Sequence, residues 1–369
     1  MFDPPAPHRL RCEDGTAPMA DTSAFLPHIA SMAGYLPGEQ PRDSHVIKLN
    51  TNENPYAPSP LVLARLRAAV DNGLRRYPDA GANGIRQRLA ALFAFPAEQF
   101  VIGNGSDELL NVALRCFAGP GDTVAYATPS YPYYAKLIDL QAAQAVPVEF
   151  GDDYRLPPAL SGTNAAVTFV PNPNSPTGTA VSSTDLDDLA ADLDGILVID
   201  EAYVDFCQEG ALDLVRRRDN VIVMRTLSKS FSLAGMRIGY CVAAPEVAAG
   251  LWKVKEHYNV NSLSQIAAEA ALDDIGWMQS NAERIIATRG RLTTRMRDLG
   301  FHVWDSAANF ILCRVPTGAD ACRLHANLRD QGILVRYFPD NPRLADCLRI
   351  SIGTDDDMDL LLKVLKRLV

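Results

Sequence analysis

Short apolar runs alternate with amphipathic stretches along most of the chain. The apolar runs are rich in Val and Ile and end in polar or turn residues, which is typical of strands buried on both faces. Between them lie stretches with helical periodicity, such as Ser59–Gly73 and Gly84–Phe93. The alternation predicts an α/β fold with a doubly wound, mostly parallel sheet. The predicted strands are Phe100–Ile102, Thr123–Ala127, Ala145–Val148, Ala166–Val170, Ile196–Ile199, Val221–Met224 and Ile238–Val242.

The pattern changes in the last part of the chain. A long helical stretch from about Pro245 to Asp298, broken near Asn259–Ser264, leads into runs typical of a compact α+β domain. These runs predict strands at Phe301–Val303, Phe310–Arg314, Ile333–Tyr337 and Leu348–Ile352, and helices at Asp320–Gln331 and Asp356–Leu368. The chain is therefore predicted to contain an N-terminal extension and arm (1–44), a large domain (45–285) and a small C-terminal domain (286–369).

The overall charge limits the classes of partner. A formal net charge of -9 argues against nucleic acid or an anionic membrane surface as the main partner. Any anionic ligand then needs a local cationic pocket. No apolar run approaches the ~18 residues that a membrane-spanning helix needs. Residues 1–20 are rich in Pro and charge and have no apolar core, so we expect a disordered extension rather than a signal peptide.

The cysteines indicate a reducing compartment. The seven of them are scattered, with no close pair at metal-ligand spacing. Because most lie in apolar runs, we expect buried reduced thiols in a cytoplasmic protein, and no metal site.

Polar segments follow several predicted strands, and in an open α/β sheet such segments meet beyond the strands' carboxyl ends. One is Gly103–Glu108, which precedes a helix predicted to start near Leu109. Glycines and free N–H groups at a helix start can bind a phosphate. Taken alone, the segment fits a plain Gly-rich turn with Ser106 or Asp107 as the N-cap better than a phosphate site.

Two further segments carry charged residues. Asp200 ends a buried strand, where a carboxylate is costly without a cationic partner such as a protonated pyridine nitrogen. Tyr203 is close enough along the chain to reach a neighbouring phenolate oxygen. Lys229 follows another strand and suits a carbonyl-trapping amine, while Arg237 could bind a phosphate. Taken singly, an ordinary ion pair, a surface lysine and a structural arginine also explain these residues.

The order of these segments resembles a known family. Asn172–Gly178 is a rigid turn with three prolines, which a structural role would also explain. The Pro-Thr-Gly turn, Asp-Glu-Ala-Tyr, Ser-Lys and Gly-Met-Arg-Ile-Gly follow one another as in the fold-type I pyridoxal-phosphate aminotransferases. Further segments resemble the histidinol-phosphate aminotransferases in particular: Gly34–Gly38, Lys48–Tyr56, Arg76–Asp79, Gly332–Phe338 and Leu348–Gly353.

The resemblance implies a role for each part of the cofactor site. Lys229 would form a Schiff base with pyridoxal phosphate, Asp200 would partner its ring nitrogen, and Tyr203 its ring oxygen. Tyr131 would stack on the ring, with a core role as the alternative. Many relatives have two asparagines before Pro-Thr-Gly, whereas this chain has Asn174-Ser175, so either residue could bond the ring oxygen. The implied phosphate ligands are Ser106, Asp107, Ser228, Arg237 and, from the second subunit of a homodimer, Tyr77.

The resemblance also implies a reaction. It is the transamination of histidinol phosphate with 2-oxoglutarate in histidine biosynthesis. Arg349 resembles the carboxylate-binding arginine, Arg336 and Tyr35 resemble groups near the substrate phosphate, and Asn52 falls in the substrate-binding set. A surface ion pair is the alternative for Arg336. The remaining alternatives are an aromatic amino-acid aminotransferase, a threonine-phosphate decarboxylase and a catalytically silent regulatory module that binds pyridoxal phosphate.

Overall fold

The computed structural model describes residues 24–34, 38–41, 46–70 and 72–369. Most of the predicted N-terminal extension, and Tyr35, lie outside the described residues. The strands are β1 Ile47–Leu49, β2 Phe100–Gly103, β3 Thr123–Thr128, β4 Gln144–Glu149, β5 Val167–Pro171, β6 Ile196–Asp200, β7 Val221–Thr226, β8 Gly239–Ala243, β9 His302–Val303, β10 Phe310–Arg314, β11 Ile333–Tyr337 and β12 Cys347–Ser351. The α-helices are α1 Pro27–Ser31, α2 Pro60–Ala69, α3 Asn83–Phe93, α4 Ser106–Phe117, α5 Tyr133–Leu140, α6 Ser183–Asp192, α7 Pro245–Val254, α8 Ser262–Asp273, α9 Ile275–Asp298, α10 Ala321–Asp330 and α11 Asp355–Leu368.

The large sheet has seven strands in the order β2-β8-β7-β6-β5-β3-β4. The pairs from β7 to β4 are parallel, which confirms the predicted fold class. One strand runs the other way, because β8 is antiparallel to both β7 and β2. The segment from β7 to β8 contains only a short 3-10 turn, Ala234–Met236, and no α-helix to carry the chain back across the sheet. The sequence pattern does not predict this reversal.

Helices cover both faces of the large sheet. In β6, Leu197 and Ile199 pack into the core that contains residues of α2, α3 and α8. Val198 points to the opposite face and packs with residues of α4, α5 and α7. The alternation along one strand explains why the strand reads as a continuous apolar run.

A second sheet has five strands in the order β1-β11-β12-β10-β9. Its core contains Ile311, Ile333 and Ile350 together with Leu361 and Leu365 of α11. Strand β1 comes from the region before the large sheet and pairs in parallel with β11. The chain that leaves β1 therefore passes from the small sheet toward the large one, which places residues 50–54 between them.

The connection between the sheets consists of three helices rather than two. The predicted break near Asn259–Ser264 separates α7 from α8, and a second break, which was not predicted, falls at Asp274 between α8 and α9. The predicted domain boundary at residue 285 lies within α9, a helix of 24 residues. The division of the chain into domains stays a prediction. None of the described helices is long and apolar enough to cross a membrane.

A buried ion pair joins the ends of β6 and β7. Glu201 follows Asp200, its side chain is fully buried, and it accepts a hydrogen bond of 2.7 Å from Arg225 Nε. It also accepts one from the backbone N–H of Ala211. The pair fixes the strand ends from which the polar segments project. Breaking it is costly, because removing one partner leaves the other charge buried without a counterion.

Replacing Glu201 by Ala is expected to lower the free energy of unfolding by about 3–5 kcal/mol, since Arg225 then lacks its counterion. Urea unfolding followed by circular dichroism measures this change. The matched control is Asp213→Ala, which breaks an exposed pair with Arg216 and is expected to change stability by less than about 1 kcal/mol. Equal small effects of the two substitutions would contradict the structural role given to the buried pair.

Candidate active site

Two adjoining cavities lie beyond the carboxyl ends of β5, β6 and β7. The first is bounded by Ser106, Asp107, Asp200, Thr226, Ser228 and Arg237. The second is bounded by Asn50, Thr51, Asn52, Arg336, Phe338 and Arg349. Tyr131, Ser175, Tyr203 and Lys229 line both cavities. The structure thus brings most of the predicted site residues together.

One end of the first cavity suits a phosphate. Helix α4 begins at Ser106, earlier than predicted, with Gly105 as its N-cap and no side chain bonded to its first N–H groups. The alternative in which Ser106 or Asp107 caps the helix is therefore wrong. Gly105 has a φ of +86°, and a Cβ there would lie 2.5 Å from Arg237 Nη2. A helix start without a side-chain cap, beside a guanidinium, is a favourable environment for an anion.

Arg237 is held by a carboxylate at the same end of the cavity. Its Nη2 lies 3.1 Å from Asp107 Oδ2, and Tyr131 Oη donates to Asp107 Oδ1 at 3.2 Å. Ser228 lies on the neighbouring loop, where its backbone N–H donates to Thr226 Oγ1 at 3.2 Å. The guanidinium of Arg237 can form charge-assisted hydrogen bonds, and hydroxyl groups lie beside it. Such a set of donors binds phosphate groups.

The far side of the first cavity contains a buried carboxylate. Asp200 is 5% exposed, and it accepts hydrogen bonds from Tyr134 Oη at 2.9 Å and from the Ala202 N–H at 3.2 Å. Burial raises the pKa of Asp200 to about 6, although the hydrogen bond from Tyr134 acts in the opposite direction. A carboxylate in this position is stabilised by a ligand that presents a positively charged N–H.

Sequence reasoning missed Tyr134. Its ring is fully buried, stacks on Phe169 with the centroids 4.8 Å apart, and meets the edge of Tyr131 at 5.6 Å. Burial and the neighbouring Asp200 raise the pKa of its hydroxyl well above the ordinary value, so it stays a hydrogen-bond donor. The sequence offered one signal, three tyrosines within four residues after a predicted strand. If one of them is buried, its hydroxyl needs a hydrogen-bond partner.

The amine of Lys229 lies at the boundary of the two cavities. Its Nζ donates to Thr51 O at 3.3 Å and lies 5.7 Å from the centroid of the Tyr203 ring. The backbone around it is fixed by Asn54, whose Nδ2 donates to Lys229 O at 3.1 Å and to Ser230 O at 3.0 Å. Residues 50–54, delivered by β1, therefore contact both the amine and its loop.

Asn52 connects the two sheets at the site. Its Nδ2 donates to Tyr203 Oη at 2.9 Å, and its backbone N–H donates to Ser351 Oγ at 2.9 Å. Its φ of 57° lies in the left-handed region, which asparagine adopts more readily than most residues. Tyr203 is further fixed by an edge-on contact with Phe310, with the centroids 5.1 Å apart. Asn52 thereby orients the Tyr203 hydroxyl.

The proline-rich turn presents Ser175 rather than Asn174 to the cavities. Asn174 Nδ2 donates to Pro129 O at 3.1 Å and to Thr177 Oγ1 at 2.8 Å, so its amide group serves the turn itself. Ser175 lines both cavities, and its Oγ accepts a hydrogen bond of 3.0 Å from Arg349 Nη1.

Two arginines face each other across β11 and β12. Arg336 and Arg349 are direct partners in the antiparallel register, and each guanidinium carbon lies 5.8 Å from the centroid of the Phe338 ring. Arg349 also donates to Asn50 O at 2.9 Å. Like charges directly opposite on a sheet repel each other, so the second cavity favours anionic ligands.

Tyr77 is a described candidate that lies outside the site of its own chain. Its side chain is 80% exposed and stacks on Tyr258, with the ring centroids 4.5 Å apart. It lines neither cavity.

This chain is similar to known proteins over most of its length. The model of the family "Aminotransferase class I and II" matches residues 44–365. The histidinol-phosphate aminotransferase 1 of Trichormus variabilis is 44% identical over 350 residues, which cover 94% of this chain and 99% of the relative. The histidinol-phosphate aminotransferase of Geotalea uraniireducens is 46% identical over 342 residues, covering 92% and 98%.

A solved structure agrees with these relatives. The histidinol-phosphate aminotransferase of Sinorhizobium meliloti, in complex with pyridoxal-5'-phosphate, superposes with a TM-score of 0.84 at 29% identity. The match covers 94% of this chain and 99% of that one. This chain therefore belongs to the class I and II aminotransferase family and, within it, groups with the histidinol-phosphate aminotransferases.

Proposed function

We propose that this chain is a pyridoxal-phosphate-dependent aminotransferase that transfers the amino group of histidinol phosphate to 2-oxoglutarate in histidine biosynthesis. The observation that carries the proposal is the position of Lys229, whose amine lies between two chemically different cavities. The first offers phosphate donors at one end and a buried carboxylate at the other. The second offers two arginines. An amine at their boundary can serve a cofactor on one side and anionic substrates on the other.

The residues of the first cavity fit pyridoxal phosphate. Ser106, the backbone N–H of Asp107, Ser228 and Arg237 would hold the phosphate, and Tyr131 would stack on the ring. Asp200 would face the ring nitrogen, and Tyr203 would bond the ring oxygen. The donor set matches the charges of the cofactor, with hydroxyls and a guanidinium for the dianion and a buried carboxylate for the pyridinium. When bound, pyridoxal phosphate supplies the electron sink for the carbanion formed at the substrate carbon.

The chain's own residues would then handle protons and orientation. Lys229 Nζ would hold the cofactor covalently, and as a free amine it would move a proton as a general base. Asp200 would keep the ring nitrogen protonated, and Tyr134 orients that carboxylate through its hydrogen bond. Tyr203 Oη accepts a hydrogen bond from Asn52 Nδ2, which leaves its own O–H to donate to the ring oxygen of the cofactor.

Of the two residues left open by the sequence, we favour Ser175 as the partner of the cofactor. Its hydroxyl lines both cavities, while the amide of Asn174 is engaged by the turn. Ser175 would also keep Arg349 in register with the ring.

Arg349 and Arg336 would bind the substrate anions. Guanidinium groups form forked bonds to carboxylate and to phosphate, so the pair suits both glutamate and histidinol phosphate. Asn52 lies at the inner end of the same cavity. Tyr35 keeps its proposed place near the substrate phosphate as an expectation, because it lies outside the described residues.

The proposed assembly is a homodimer located in the cytoplasm. Tyr77 is exposed and lines neither cavity of its own chain, as expected for a residue that completes the phosphate end in a second subunit. Sedimentation of an active wild-type monomer would contradict this assembly.

The function is tested by comparing amino donors. Wild-type protein with 2-oxoglutarate is expected to use histidinol phosphate in preference to phenylalanine, because the paired arginines match its dianionic phosphate, and to release no carbon dioxide from threonine phosphate. Coupled detection of glutamate measures the transfer. Lys229→Ala is expected to lower kcat by at least about 100-fold and to remove the near-visible absorbance of the bound cofactor.

Each alternative gives a different result in that assay. Transfer from phenylalanine alone would identify an aromatic aminotransferase, and release of carbon dioxide from threonine phosphate would identify a decarboxylase. Cofactor absorbance without turnover would indicate a silent binding module. Unchanged absorbance in Lys229→Ala would contradict the assignment of the anchoring lysine.

The buried Asp200 predicts a pH dependence in the cofactor-free protein. Its pKa of about 6 lies above that of the unfolded chain, so the folded protein keeps a proton that unfolding releases. The stabilisation that the protonated Asp200 carboxyl group contributes is present at about pH 4 and is lost as the pH rises through about 6. Asp200→Asn lacks the titration, so between about pH 4 and 7 its stability relative to the wild type is expected to rise by roughly 2–3 kcal/mol.

Urea unfolding of both cofactor-free proteins across this pH range measures the difference. At neutral pH, saturating pyridoxal phosphate is expected to raise the free energy of unfolding of the wild type above that of Asp200→Asn, since the pyridinium stabilises the charged carboxylate. A difference that stays constant with pH would contradict the burial of an uncompensated carboxyl group.

A further inference from the structure

Two tyrosine rings lie stacked on the surface of the chain. Tyr77 is 80% exposed and Tyr258 is 50% exposed, and their planes are inclined by only 18°. Large aromatic rings grouped on a surface mark contact sites, because each ring carries much apolar area. Neither the cofactor site nor the substrate cavity of the same chain uses them.

The two segments that carry the rings are tied together by one buried side chain. Gln265 is 7% exposed, and its Nε2 donates to Asp79 O at 2.9 Å and to Val260 O at 3.0 Å. Asp79 lies two residues after Tyr77, and Val260 lies two residues after Tyr258. Gln265 therefore fixes the backbone next to both stacked rings.

The segment of Tyr258 is also anchored to the phosphate end of its own subunit. Asn259 Nδ2 donates to Ile102 O at 2.9 Å and to Glu108 Oε2 at 2.8 Å. Lys255 Nζ donates in turn to Asn259 Oδ1 at 2.9 Å. Ile102 lies in β2 and Glu108 in the first turn of α4, so the segment is fixed to the helix whose start forms the phosphate end.

We propose that Tyr258 is a positioning residue that holds Tyr77 in place to complete the phosphate end of the site in a second copy of this chain. The inference rests on the proposed function, since it requires a homodimer that binds pyridoxal phosphate. Tyr77 on its own would lose side-chain freedom on entering the partner's site. A ring already stacked on Tyr258 has lost most of that freedom beforehand, so binding costs less.

The test is a titration of the cofactor-free dimer with pyridoxal phosphate, followed by its absorbance. Tyr258→Ala is expected to raise the dissociation constant about 3- to 10-fold, the effect of losing one aromatic pair. Tyr258→Phe keeps the ring and is expected to stay within about twofold of the wild type. The double variant Tyr77→Ala/Tyr258→Ala is expected to bind no more weakly than Tyr77→Ala alone, because Tyr258 acts through Tyr77.

Additive losses in the double variant, or an unchanged constant in Tyr258→Ala, would overturn the role of Tyr258. A failure of the proposed function is distinguishable from a failure of the role of Tyr258, because it would show in the wild type or in Lys229→Ala. Wild-type protein that sediments as a monomer, or Lys229→Ala that keeps the cofactor absorbance, would contradict the assembly or the site rather than Tyr258.

Mixed dimers test whether the effect crosses the interface. One subunit carries Lys229→Ala and the other carries Tyr258→Ala, so the single site with an anchoring lysine receives an intact Tyr77–Tyr258 stack from its partner. That site is expected to bind the cofactor as in the wild type. When one subunit carries both substitutions and the other none, the live site is expected to show the weakened affinity. The reverse pattern would mean that Tyr258 acts within its own subunit and would overturn the inference.

Discussion

The site depends on the burial of one carboxylate at the end of a strand. Asp200 is almost inaccessible to water, and its recorded hydrogen bonds come from neutral donors, Tyr134 and the backbone of Ala202. Holding a charge there costs free energy until a cation arrives. A protonated pyridine nitrogen supplies that cation, so the same feature that disfavours the charged carboxyl group in the cofactor-free protein favours binding of the cofactor. The raised pKa is the signature of this constraint.

The fold brings the other groups to this carboxylate from separate directions. Strand β7 lies beside β6 in parallel, so the Lys229 loop emerges next to Asp200. The reversal at β8 returns Arg237 to the same edge after a short loop. From the small sheet, β1 delivers Asn52 and Asn54 to Tyr203 and to the Lys229 backbone.

The sequence was sufficient for the parts of the site that follow a strand. Asp200 and Lys229 were predicted because each follows an apolar run, and the parallel sheet places the ends of such runs together. Arg237 stands before a strand instead, and it reaches the same edge because β8 is antiparallel to β7. The contacts of Asn52 and Ser175 were harder to predict from the sequence, because they depend on how β1 and the proline-rich turn approach the other sheet. Tyr134 was missed because its hydrogen bond joins a helix to a strand 66 residues away, and its burial resembles that of an ordinary core aromatic.

The partnership between Asp200 and the ring nitrogen can be observed directly. The measurement is the ¹⁵N chemical shift of pyridoxal phosphate labelled at the ring nitrogen and bound to the wild-type protein and to Asp200→Asn at neutral pH. We expect a protonated ring nitrogen in the wild type and an unprotonated one in the variant. An unprotonated nitrogen in the wild type would contradict the partnership.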